Sequence, residues 1–111
     1  MKLYSWNVNG IRAVHKKGDL QRFLAEHDPD ILCLQETKTE DKGFPFAELS
    51  AAGYHALHNG QKTYNGVAIL SRTPAEEVRF DIPGFADEQK RVIAATIGGV
   101  RIVCAYMPNG Q

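Results

Sequence analysis

The chain has 111 residues, 43% hydrophobic and 23% charged, the balance of a globular domain rather than a disordered segment. Thirteen basic and thirteen acidic residues cancel, which argues against bulk-charge coating of a polyanion and confines any such site to a local patch. No stretch reaches the roughly 20 apolar residues of a membrane span, and Met1-Lys2-Leu3-Tyr4-Ser5-Trp6 carries no signal-peptide core, so a cytoplasmic protein with no membrane partner is expected.

In chain order, "KLYSW" sets Leu3 and Ser5 against Lys2, Tyr4 and Trp6, the alternation of a strand, and "NVNG" stops it. "RAVHKKGD" reads as a basic loop holding Arg12, His15, Lys16 and Lys17. "GDLQRFLAEHDPD" places Leu20, Phe23, Leu24 and His27 on one helical stripe, with Asp19 near its start and Pro29 beyond its end. "ILCL" is a short unbroken apolar run, which fits a strand covered on both faces. "FPFAELSAAG" predicts a short helix closed by Gly53. "YHALH" and "GVAILS" predict strands joined by the loop "NGQKTYN", and "EEVRF" predicts another. "RVIAATI" and "VRIVCAYM" flank Gly98-Gly99, a hairpin signal whose register sets Ile97 opposite Val100, Ile93 opposite Cys104 and Arg91 opposite Tyr106. Cys33 and Cys104 fall in apolar runs and are expected as buried reduced thiols.

The order β-α-β-α followed by an antiparallel run fits an α/β fold with one mixed β-sheet and helices on one face. Two short helices would leave the other face open, so the chain reads as part of a larger domain. If the first two strands are parallel neighbours, Asn7, Asn9 and Glu36 lie together at their C-terminal edge, where α/β sheets bind ligands. One carboxylate with amide oxygens suits Mg²⁺, which takes about one or two protein carboxylates and leaves the rest to water and phosphate. Each residue alone also has a plain reading, as a turn asparagine or a solvated charge. Lys38 can pair with Glu36 or hold a neighbouring amide. An Arg91 beside Tyr106 would lower the phenol's pKa. The loops with Arg12 and Lys17, and with Lys62 and Tyr64, have the composition of phosphate-backbone contacts.

"WNVNGIRA" at 6–13, "PDILCLQETK" at 29–38, "YNGVAILS" at 64–71, "RVIAA" at 91–95 and "AYMPNG" at 105–110 together resemble, in order and over nearly the whole chain, the exonuclease III family of AP endonucleases. That family lies within the endonuclease/exonuclease/phosphatase superfamily, whose fold is a four-layer α/β sandwich. The resemblance implies that residues 1–111 are the N-terminal half of such a domain. The later motifs of the types "GDLN", "DY" and "SDH" do not occur here. It implies metal ligation by Glu36 with Asn7 beside it, for Mg²⁺ with Mn²⁺ as the alternative. It makes Tyr106 the active-site tyrosine at the scissile phosphate and Lys38 a support for the cluster. It assigns Asn9, Arg12, Lys17, Tyr64, Arg91 and Asn109 to DNA or phosphate contact; position 9 is an aspartate in some relatives.

The implied activity is metal-dependent hydrolysis of the phosphodiester 5′ to an abasic site, and of 3′ ends, in double-stranded DNA by a monomeric protein. The fragment alone is expected to be inactive. The competing expectations are a superfamily phosphodiesterase acting on a phospholipid or inositol phosphate, and a half-domain that binds DNA or a partner without catalysis.

Overall fold

A computed structural model describes residues 1–80 and 92–106. In chain order these form β1 (Leu3–Asn7), α1 (Ile11–Lys16), α2 (Asp19–His27), β2 (Ile31–Gln35), a 3₁₀ turn (Asp41–Gly43), α3 (Phe46–Ala51), β3 (His55–Asn59), β4 (Val67–Ser71), β5 (Glu76–Arg79), β6 (Val92–Ile97) and β7 (Val100–Ala105).

The strands make two sheets. The first is mixed, in the order β1-β2-β4-β3, with β1 parallel to β2 and the other pairs antiparallel. The second, β5-β6-β7, is antiparallel. Period-two alternation along β2 and β4 divides the interior. Leu32, Leu34, Ala68 and Leu70 point to the helices and meet Leu20, Leu24, Leu49 and Phe44. Ile31, Cys33, Val67 and Ile69 point the other way and meet Ile93, Ala95, Ile97, Ile102 and Cys104 of the second sheet. Both faces of β2 are thus buried, as its unbroken apolar run requires. Cys33 and Cys104 are free and buried in this inter-sheet layer.

Two expectations are corrected here. Of the antiparallel run, β3 and β4 extend the first sheet, but β5, β6 and β7 form a second sheet that folds over it, so the face opposite the helices is covered at β2 and β4. It stays open at β1, where Leu3 and Ser5 are exposed while Tyr4 and Trp6 turn toward the helices. The segment read as a basic loop is mostly helix α1, with Lys17 as its C-cap. Six residues with one buried side chain, Ile11, leave too little periodicity to detect.

The remaining elements follow the sequence reading. α2 buries Leu20 and Leu24 and stacks Phe23 on Trp6 with ring centroids 5.0 Å apart. The Gly98-Gly99 turn sets Ile97 opposite Val100 and Ile93 opposite Cys104. The Arg91–Tyr106 pairing lies outside the described residues on the Arg91 side. Among the described residues no helix is long and apolar enough to cross a membrane.

Candidate active site

Parallel pairing of β1 and β2 brings Asn7 level with Gln35, so both chains leave the sheet at one edge. They turn there through left-handed backbone, with φ of 48° at Asn9, 55° at Glu36 and 55° at Lys38. The β3–β4 loop beside them adds Thr63 at 76° and Asn65 at 55°. A non-glycine residue in this region costs about 1–3 kcal/mol and persists only where its surroundings force it. Five of the seven such residues among those described gather in these three adjoining loops.

Backbone hydrogen bonds do the forcing. Gly10 N–H donates to the Glu36 carbonyl at 2.7 Å and Ile11 N–H to the Thr37 carbonyl at 3.0 Å, so the start of α1 is tied to the end of β2. From the other side Thr37 N–H donates to Gly66 O at 3.2 Å and Lys38 N–H to Asn65 O at 2.9 Å. Gly66 is required here. Its φ is 93°, and a Cβ would collide with the Thr37 hydroxyl.

Side chains complete the cluster. The Asn7 amide donates to Glu36 Oε2, and Asn7 Oδ1 accepts from Asn9 N–H at 3.1 Å. Lys38 Nζ donates to Asn9 Oδ1 at 2.6 Å and lies 3.5 Å from Glu36 Oε1. Lys38 thus pairs with Glu36 and holds the Asn9 amide. Tyr106, just past β7 on the second sheet, lies near enough for the same carboxylate to act on its phenol. Burial and then the Glu36 charge push its phenol above the usual range. That is opposite to the lowering expected from Arg91, which lies outside the described residues. At neutral pH the phenol keeps its proton and can donate.

Asn7, Asn9, Glu36, Lys38 and Tyr106 thus converge. Arg12 stands next to them, lining a recess of about 410 Å³ with Lys38, Lys42, Lys62, Thr39 and Glu40. Tyr64 is 66% exposed in the adjoining β3–β4 loop. Lys17 ends α1 as an exposed C-cap, and no contact joins it to the cluster among those described. Asn109, like Arg91, lies outside the described residues.

Beneath the turn is a layer the sequence did not signal. His58 is 6% exposed and Thr37 fully buried. His58 Nδ1 is 2.7 Å from Asp41 Oδ1, and Nε2 is 3.0 Å from Thr37 Oγ1. The ring stacks on Phe44 at 4.3 Å between centroids. Burial lowers the imidazole pKa against the pull of Asp41, whose side chain is 73% exposed and therefore screened. A neutral ring with Nδ1–H donating to Asp41 leaves Nε2 to accept the Thr37 hydroxyl, so every polar atom is satisfied. Lys42 in the basic recess was likewise unmarked. No period or motif identifies these residues; packing alone does.

The family model described as "Endonuclease/Exonuclease/phosphatase family" matches residues 4–108. The chain is 35% identical to the exodeoxyribonuclease III of Haemophilus influenzae, over all of this chain and 43% of that protein. The 3′ phosphatase NExo from Neisseria, solved bound to a product DNA hairpin, superposes with a TM-score of 0.92 at 47% identity over 99% of this chain and 42% of that one. An AP endonuclease from Archaeoglobus fulgidus superposes with a TM-score of 0.91 at 40% identity, again over 99% of this chain and 42% of that one. This chain spans less than half the length of each.

Proposed function

The chain belongs to the endonuclease/exonuclease/phosphatase family, and on that premise we propose that it supplies the N-terminal half of a DNA-repair phosphodiesterase of exodeoxyribonuclease III and AP endonuclease type. The reading rests on one observation above all. A carboxylate from β2, an amide from β1 and a phenol from β7 converge at one strained sheet edge beside a basic recess. The relatives named for nuclease activity point the same way.

Glu36 and Asn7 fit a hard divalent cation in kind. Glu36 supplies oxygen donors and one negative charge, Asn7 would supply its Oδ1 once its amide turns from Glu36, and such a cation draws its other ligands from water and phosphate. Mg²⁺ is the proposed metal, with Mn²⁺ as substitute. Bound there, it would offset charge on the scissile phosphate and the leaving 3′ oxygen during in-line attack by water. Lys38 holds Asn9 and Glu36 in place. Tyr106 donates a hydrogen bond to a phosphate oxygen. Asn9, Arg12, Lys17 and Tyr64 grip the DNA backbone, with Arg91 and Asn109 as further phosphate contacts. The later motifs of the types "GDLN", "DY" and "SDH" do not occur in these 111 residues, so the 111 residues alone are proposed to be inactive. The full-length protein acts as a monomer on double-stranded DNA at abasic sites and 3′ ends.

The test is cleavage of a duplex carrying one abasic site by the full-length protein. Incision 5′ to that site in Mg²⁺, abolished by a chelator, is the expected result. Hydrolysis of a phosphoinositide with no incision of DNA would overturn the reading.

A further inference from the structure

Asp41, His58 and Thr37 form a hydrogen-bonded line, carboxylate to imidazole to hydroxyl, at 2.7 and 3.0 Å. The order matches that of an orienting acid, a base and a nucleophile. The nucleophile position has no access, however. Thr37 is 0% exposed, and its hydroxyl sits against Gly66, where even a Cβ would collide with it. A hydroxyl that meets no solvent cannot attack a substrate, so the line has another use.

That use is indicated by what flanks Thr37. Glu36 and Lys38, on either side, both hold left-handed backbone. The Thr37 carbonyl anchors Ile11 and its N–H anchors to Gly66. Its side chain is the third anchor, and His58 is its partner. The His58 ring is itself fixed on both edges and one face, by Asp41, Thr37 and Phe44. Gly60 allows the loop after β3 to pass directly over the ring, since a Cβ there would strike it. We propose that His58 is a positioning residue for the Glu36 turn, acting through the Thr37 hydroxyl, with Asp41 setting its tautomer. The consequence for metal and DNA rests on the functional reading above; the effect on the turn does not.

Three variants of the full-length protein test this: Thr37→Val, which keeps shape and removes the hydroxyl, Thr37→Ser, which keeps the hydroxyl, and His58→Phe, which keeps the stack on Phe44. Amide hydrogen exchange at residues 10, 11, 37 and 38 reads the turn without any metal. Mn²⁺ titration in the absence of DNA reads the carboxylate. Thr37→Val and His58→Phe are expected to speed exchange at those amides and weaken Mn²⁺ binding by about 10-fold or more, the scale seen when a ligand's outer support is removed. Thr37→Ser is expected to restore both. Wild-type exchange or wild-type Mn²⁺ affinity in folded Thr37→Val overturns the proposal, and Thr37→Val remains readable if His58→Phe fails to fold. A wild-type protein that neither binds Mn²⁺ nor cuts DNA would instead overturn the functional reading, while exchange still decides the role of His58.

Discussion

Glu36 is oriented from two directions before any ligand arrives: by the Asn7 amide and by Lys38. Its strand-end position was legible in the sequence, because an apolar run that stops on a carboxylate marks a sheet edge. The support below it was not. Thr37 and His58 are ordinary residues in ordinary strand-like stretches, and only their burial sets them apart. That burial has a measurable consequence. The folded pKa of His58 is depressed below its ordinary value of about 6.5, so the unfolded chain binds the proton more readily. Stability from this residue is complete above that value and is lost as pH falls through the lower folded pKa. The full-length protein is therefore expected to lose thermal midpoint, as pH falls below about 6.5, more steeply than His58→Phe does. Equal slopes for the two proteins would show that His58 is not the source of this pH dependence.

At the scale of elements, strands and helices that repeat a pattern were readable, and elements fixed by distant contacts were not. α2 shows its stripe and the β6–β7 hairpin its turn, so both were placed with their register. α1 is held by Ile11 and by bonds to the end of β2, neither of which is a local signal. The hairpin also gave no hint of which sheet it joins, because local pairing says nothing about what the resulting surface packs on. β4 is the element on which these layers meet. Leu70 faces the helical side, is fully buried and lies level with Leu32 of β2. Leu70→Ala is expected to cost about 2–5 kcal/mol, as deletion of a buried core side chain does. Lys16→Ala, on the exposed side of α1, should stay within about 0.5 kcal/mol. Denaturant unfolding of the full-length protein measures both. A similar loss from the two would mean that β4 is not the core strand its burial indicates.

Over the whole molecule the formal charge is zero, yet the cations are not evenly spread. Arg12, Lys38, Lys42 and Lys62 share one recess with a single acid, Glu40, beside the strained turn. Lys2 lies at the other end of β1, where its ammonium donates to the His27 carbonyl and its backbone N–H to Asp30. Net charge therefore predicts little affinity for a polyanion, whereas the local field at one sheet edge predicts a specific one. The two views separate in the salt dependence of binding. Removing a cation that neutralises one phosphate should flatten the slope of log affinity against log salt by about 1. Arg12→Ala and Lys62→Ala are each expected to do so on an abasic duplex, measured by fluorescence anisotropy across a salt series. Lys2→Ala is expected to leave the slope unchanged. If Lys2→Ala flattens it equally, the DNA track does not run through the recess, and the proposed placement of the backbone beside Glu36 fails with it.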